Sequence, residues 1–318
     1  MSLARAFVIK TSALPPVEKL VRRSFLFKPL ISRFIAGDTL EEALKASEQL
    51  LAKGMKVSLD YLGENTLNEG EALAAKHKYI EMLERIALVP AVQDWNAKKP
   101  SPIEPLNISI KLTQCGLDQG FEFAEANYRE VLECAKRLGN FVRIDMESSD
   151  YTQRTLDMIE KVLPEYPNTG TVLQSYLFRN EADVETIIKW QARVRLVKGA
   201  YLEPPTVAYK EKAKVDAAYV KQAKRLLDAG NYPALATQDE KIITELNAYV
   251  AERKIPKEGF EYQMLYGIRR DLQDGLTAQG YNVRVYVPYG DSWYPYFTRR
   301  LAERPANAFF ILKSLFKG

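Results

Sequence analysis

Short runs rich in apolar and β-branched residues alternate along most of this chain with longer stretches of helical apolar spacing. The runs cover 56–61, 106–111, 141–145, 171–175, 194–197, 234–237, 260–264 and 282–287, and each reads as a buried strand. The stretches between them carry apolar residues on one helical face, for example Leu156, Ile159, Val162 and Leu163, or Leu226 and Leu227. Strands alternating with helices predict a parallel sheet covered by helices. Eight such units predict closure into a (β/α)8 TIM-type barrel, with functional groups at the C-terminal ends of the strands. The runner-up is an open doubly wound sheet. Against it, no GxGxxG follows the first strand.

Ahead of the first strand the chain reads as helical. Residues 17–35 mix apolar and basic positions, and Asp38, Thr39, Glu41 and Glu42 mark a helix start whose acidic first turn complements the helix dipole. That helix should run to about Lys53 and end at Gly54. The division predicted is an N-terminal helical extension, 1–54, and one barrel domain, 55–318, that ends in a C-terminal helix. Two repeats are irregular. After Val197 comes Lys-Gly-Ala-Tyr-Leu-Glu-Pro-Pro, so the next helix cannot begin before Pro205. After Val287 an aromatic segment leads to the adjacent Arg299 and Arg300.

Composition narrows the classes of function. The chain has 318 residues, 47% hydrophobic and 27% charged, which suits a large globular domain. Its 45 basic and 41 acidic residues are too balanced and too dispersed to argue for a nucleic-acid partner. A local basic excess, Arg299, Arg300, Arg304, Lys313 and Lys317, reads first as a solvated helix face and second as a contact for an anionic membrane surface. Cys115 and Cys134 lack CxxC spacing, and the single histidine, His77, sits in a polar helical stretch, so neither a zinc site nor a histidine triad is expected. There is no run of about 18 apolar residues and no export signal. A cytoplasmic location is expected, with peripheral contact at the inner face of the cell membrane as the second reading.

Charged and amide residues cluster where the predicted strands end: Asp60 and Glu64, Lys111, Asp145 and Glu147, Gln174, Arg195 and Lys198, Gln238 and Asp239, Gln263, and Arg284, with Arg299 and Arg300 just beyond. A charge at the end of a buried strand needs a partner or a ligand. One reading is a salt-bridge network closing the barrel top. The favoured one is a small polar ligand, anionic because cations are in surplus, since adjacent arginines can grip a carboxylate bidentately. Tyr286, Tyr289, Trp293, Tyr294 and Tyr296 could wall an apolar body. Three functions remain open at this point: a Schiff-base lyase using Lys111 or Lys198, an enzyme whose redox cofactor rests its phosphates on Arg195, Lys198 and backbone amides, and a carboxylate-binding protein without turnover.

The motif Arg195-Leu-Val-Lys-Gly-Ala-Tyr201, with Tyr286-Val-Pro-Tyr-Gly290 and Tyr296-Phe-Thr-Arg-Arg-Leu-Ala-Glu-Arg-Pro305, resembles the proline dehydrogenase family in its short bacterial monofunctional form. Further matching pieces are Arg33-Phe-Ile-Ala-Gly-Asp38, Leu59-Asp-Tyr-Leu-Gly-Glu64, Ser109-Ile-Lys-Leu-Thr-Gln114, Ile144-Asp-Met-Glu147, Leu173-Gln-Ser-Tyr-Leu177 and Phe260-Glu-Tyr-Gln-Met-Leu-Tyr-Gly267. They occur in order over nearly the whole chain.

The resemblance implies FAD-dependent oxidation of L-proline to Δ1-pyrroline-5-carboxylate, with electrons passed to a membrane quinone, as the first step of proline breakdown to glutamate. It implies that Lys111, Arg299 and Arg300 hold the substrate carboxylate and that Leu265, Tyr286 and Tyr296 surround its ring. Arg195 would tune the flavin, and Asp145 would anchor the cations, in particular Lys111 or an arginine. Met146, Gln174, Arg195, Val197, Lys198, Gly199, Ala200, Thr237 and Gln238 would touch FAD. Glu64, paired with Arg299 across the mouth, and Glu303 would gate or brace the site. The sequence departs from the family at Gln238, where histidine is commoner, and over 209–214, where no cofactor contact is carried over.

Overall fold

The computed structural model describes residues 28–63 and 66–303, with positions 18 and 21. Eight parallel strands close into a barrel in sequence order: β1 (Lys56–Tyr61), β2 (Leu106–Ile110), β3 (Val142–Ile144), β4 (Thr169–Gln174), β5 (Arg193–Val197), β6 (Asn231–Ala236), β7 (Glu261–Leu265) and β8 (Asn282–Tyr289). β8 returns to pair with β1, Val57 opposite Val285 and Asp60 opposite Pro288. Each apolar run in the sequence overlaps one of these strands, and the (β/α)8 barrel stands.

The helices are α1 (Lys28–Phe34), α2 (Leu40–Leu51), α3 (Glu69–Ala87), α4 (Pro90–Lys98), α5 (Phe121–Arg137), α6 (Ser149–Val162), α7 (Asn180–Trp190), α8 (Lys212–Ala229), α9 (Glu240–Glu252), α10 (Arg270–Ala278) and α11 (Tyr294–Glu303). α2 starts where expected because Thr39 and Glu42 form a reciprocal capping box, each side chain accepting a backbone N–H of the other's end.

Strand residues alternate between two faces. One set, including Val57, Leu59, Ile108, Ile110, Val142, Leu196 and Val285, joins a continuous core with helical residues such as Tyr79, Met82, Leu83, Val131, Ile159, Leu226 and Leu246. The alternate set points inward and is largely polar. The Ser58 and Ser109 hydroxyls, on the neighbouring strands β1 and β2, meet at 3.1 Å inside the barrel.

Two helices, α2 and α11, divide the usual work of one. α2, inside the 1–54 segment, buries Leu40, Ala43 and Leu44 in the main core and packs against both β1 and β8. It covers the seam where the barrel closes. α11, which follows β8, is therefore free to lie elsewhere. Trp293, Tyr294, Tyr296 and Phe297 form a separate apolar cluster with Phe34, Ile35, Leu62 and Ile268, beside the partly buried Leu265 and Tyr286 at strand ends. α11 thus lies over the mouth.

The N-terminal end of the barrel is plugged by charge. Arg284 donates to Glu261 at 2.8 Å, to the Val57 carbonyl at 2.8 Å and to Glu104 at 3.3 Å. Arg193 grips Glu104 through both terminal nitrogens at 2.9 and 3.0 Å. Burial alone would raise the Glu104 carboxyl, but the two guanidiniums outweigh it and hold the pKa at about 2. This corrects the expectation for Arg284. It lies two residues before Tyr286, which places it about 6.6 Å lower along the strand, in the floor and not at the mouth.

Candidate functional site

At the C-terminal ends of the strands lies a cavity of about 710 Å3. Its deep end is built from inward-facing residues of four strands. Arg195, at the middle of β5, donates to Asp145 at 2.5 Å and to the Ser109 hydroxyl at 3.0 Å, and its Nε donates to Gln263. Its guanidinium also stands 5.0 Å from the Tyr286 ring centre. Four contacts thus immobilise one cation. The Tyr286 hydroxyl donates to the other oxygen of Asp145 at 2.6 Å. Burial and the adjacent carboxylates push this phenol well above its ordinary pKa, so it remains a proton donor.

Lys111, just past β2, donates to Asp60 on β1 at 3.0 Å. The sequence placed Lys111 or an arginine on Asp145. The arginine is Arg195, and Lys111 is held by Asp60 instead. β1 and β2 are neighbours in the barrel, with Asp60 opposite Ser109, so Lys111, two residues further on and facing the same side, reaches back to Asp60.

The rim is formed by the β5–α8 and β6–α9 connections. Val197, Lys198, Gly199, Ala200, Thr237 and Gln238 all line the cavity. Gly199 has φ +112°, and a Cβ there would fall 2.3 Å from the Tyr176 ring, so no other residue fits without a shift. Lys198 donates to Asp216 at 2.6 Å and to Asp239 at 3.1 Å, and Lys212 also reaches Asp239 at 3.3 Å. Although burial opposes it, these lysines lower the Asp239 carboxyl below its ordinary pKa. The Asp239 side chain also caps α9 by accepting the Lys241 N–H. The Gln238 Oε1 atom is buried with no hydrogen-bond partner.

Met146 and Gln174 line one wall, and Leu265, Tyr286 and Tyr296 line another. Gln174 is fixed by donation to the Glu147 carbonyl at 2.9 Å. Glu147 itself does not face the mouth: its carboxylate accepts from the Thr113 hydroxyl at 2.7 Å and is buried there. Glu64 and the side chains of Arg299, Arg300 and Glu303 lie outside the described residues. The backbone of the last three belongs to α11. Leu62, Gly63 and Pro295 complete the roof.

The sequence reading missed Asp216, which sits four residues after Lys212 inside α8 and looks there like half of a surface ion pair. It also left Asp60 without a role. Among the described residues no His/Cys/Asp/Glu cluster could hold a metal, and both cysteines are buried thiols. His77 is exposed on α3.

A sequence profile described as "Proline dehydrogenase" matches residues 43–313. Proline dehydrogenase of Deinococcus radiodurans is 39% identical over 99% of both chains. Proline dehydrogenase 1 of Bacillus subtilis strain 168 is 40% identical over 90% of both. Among solved structures, proline utilization A from Bdellovibrio bacteriovorus inactivated by N-propargylglycine superposes with a TM-score of 0.81 at 26% identity, over 95% of this chain and 37% of that one.

Proposed function

The chain belongs to the proline dehydrogenase family and is an oxidoreductase of proline catabolism, and from that premise we propose that it oxidises L-proline to Δ1-pyrroline-5-carboxylate using FAD. One observation carries the reading: Lys111, Arg195, Tyr286 and Tyr296, which come from distant parts of the sequence, line a single cavity at the barrel mouth.

The residues present suit a flavin dinucleotide. The cavity is in the range of enclosed cofactor and ligand sites, its rim carries Lys198, and the orphaned Gln238 Oε1 awaits a donor such as a ribose hydroxyl. Met146, Gln174, Arg195, Val197, Lys198, Gly199, Ala200, Thr237 and Gln238 would hold the cofactor. When bound, FAD would accept the hydride that leaves the proline ring carbon, and with it both electrons. The remaining work falls to the protein. Lys111, with Arg299 and Arg300 of α11, would bind the carboxylate through charge-assisted hydrogen bonds. Leu265, Tyr286 and Tyr296 would press the ring into one orientation, and such positioning lowers a barrier by roughly 7–11 kcal/mol in favourable cases. Asp145 holds Arg195 still, so its charge needs no reorganisation as the flavin becomes more negative. α11 would exclude water, with Glu64 and Glu303 as its gate or brace.

The electrons would then pass to a membrane quinone, from a cytoplasmic protein in peripheral contact with the inner face of the membrane, in the first step toward glutamate. Among the described residues no helix is long and apolar enough to cross a membrane. The test is an anaerobic titration of the flavin-loaded protein with L-proline. Loss of the oxidised-flavin absorbance is expected. Absorbance that persists at saturating proline, or protein that retains no flavin when supplied with FAD, overturns the reading.

A further inference from the structure

Proline reaches an enzyme at neutral pH as a zwitterion, and a cavity that provides only for its carboxylate leaves the ring amine unpaired. The three aspartates lining the cavity differ in what each oxygen already holds. Asp145 is committed at both ends, Oδ1 to Arg195 and Oδ2 to Tyr286. Asp239, at the rim, is committed to Lys198, Lys212 and the α9 cap. Asp60 differs. Its Oδ1 accepts from Lys111 at 3.0 Å, while its Oδ2 is buried with no hydrogen-bond partner. The residue is 1% exposed and lines the cavity. A buried carboxylate oxygen without a donor is costly, and a ligand N–H removes that cost.

On the reading that this cavity takes proline, we propose that Asp60 is a further substrate-binding residue, its Oδ2 accepting the N–H of the substrate's ring amine while its Oδ1 keeps Lys111 in place for the carboxylate. One side chain would then set both ends of the zwitterion: the amine directly and the carboxylate through Lys111. The groups around Asp60 agree with a cationic visitor. Burial raises its pKa first, Lys111 opposes this, Asp145 adds to it from the neighbouring wall, and the nearby Tyr286 hydroxyl, which donates to Asp145, also lowers it. Lys111 pairs with only one of the two Asp60 oxygens, and a substrate ammonium would pair with the other. Specificity follows as well, because a ring acid without N–H leaves Oδ2 orphaned.

The experiment compares two ligands on the FAD-loaded full chain. L-proline carries the N–H. Cyclopentanecarboxylate keeps the carboxylate and the ring and lacks it. In Asp60→Asn the KM for proline should rise roughly 10- to 100-fold, the range expected for loss of a hydrogen bond to a charged group. The Ki of cyclopentanecarboxylate should stay within about threefold, the size of effect attached to a neutral substitution near an unaltered contact. Lys111→Met should weaken both ligands together. If Asp60→Asn weakens both equally, Asp60 acts only by supporting Lys111 and the proposal is overturned; an unchanged KM for proline overturns it too. Should the asparagine variant not fold, the unaltered holoenzyme gives the answer: proline must bind at least about tenfold more tightly than cyclopentanecarboxylate, and parity overturns the proposal. Failure of the unaltered holoenzyme to be reduced by proline is a different result, and it sinks the functional reading beneath.

Discussion

Replacing Glu104 by glutamine tests the assignment of the barrel floor to stability and of its mouth to function. Glu104 is 4% exposed and accepts from Arg193 at 2.9 and 3.0 Å, from Arg284 at 3.3 Å and from Asn107 at 2.7 Å. Glutamine keeps the shape, removes the charge and turns an amide N–H₂ toward two guanidiniums. A carboxyl lowered from 4.5 to about 2 corresponds to about 3 kcal/mol of folding stability. Breaking a buried ion pair from one side costs a comparable 3–5 kcal/mol or so. Because the folded-state pKa is depressed, this contribution is fully present above pH 4.5 and is lost as pH falls toward 2. Urea unfolding at neutral pH should therefore place Glu104→Gln about 3 kcal/mol below the parent, with a melting temperature lower by roughly 4–6 °C. The gap should close as pH falls through that window. Flavin content and the KM for proline should not move while the protein is folded. A loss under about 1 kcal/mol, a gap that persists in acid, or a change in KM of the same size would refute the reasoning.

Three further outcomes are expected. Tyr286→Phe removes the donor to Asp145 Oδ2 and should lower kcat/KM for proline by roughly tenfold, the worth of about 1.4 kcal/mol, with melting temperature nearly unchanged; steady-state kinetics and a thermal melt read both. Gly199→Ala, at φ +112° and against Tyr176, should reduce the flavin retained after gel filtration while the barrel unfolds at its usual urea concentration. Lys198→Met should weaken FAD binding, followed by flavin fluorescence, with little effect on the KM for proline; undiminished flavin content would remove Lys198 from the cofactor site.

The barrel could be read from the chain because each strand is short, apolar on one face and followed by a helix. Edges were harder. The sequence places the sixth run at 234–237, after Tyr232, which adopts φ +46°. The strand nevertheless begins at Asn231, where the pairing with β5 slips between Arg193 and Arg195. Depth inside the barrel was the real loss. Alternation tells that Arg195, Arg284 and Tyr286 face inward, but height along the axis depends on register between strands that the sequence does not specify. That is why the sequence groups Arg284 with the mouth, and why it leaves Asp145 a choice of Lys111 or an arginine, when Arg195 takes Asp145 and Lys111 reaches Asp60 on the neighbouring strand. The candidate cavity residues were legible mainly because motifs mark strand ends. The role of Asp60 depends on which oxygens are already bonded, and no sequence records that.

The placement of α2 has a kinetic consequence. Its apolar face, Leu40, Ala43 and Leu44, is covered only when β1 and β8 lie side by side, and Val57 must find Val285 far along the chain. Contacts so distant in sequence are slow to form. On a ribosome, that helix would emerge early and wait, sticky, through most of synthesis. Shielding by a chaperone should matter most in this interval, and the staves of the cask would lock only after β8 has been made.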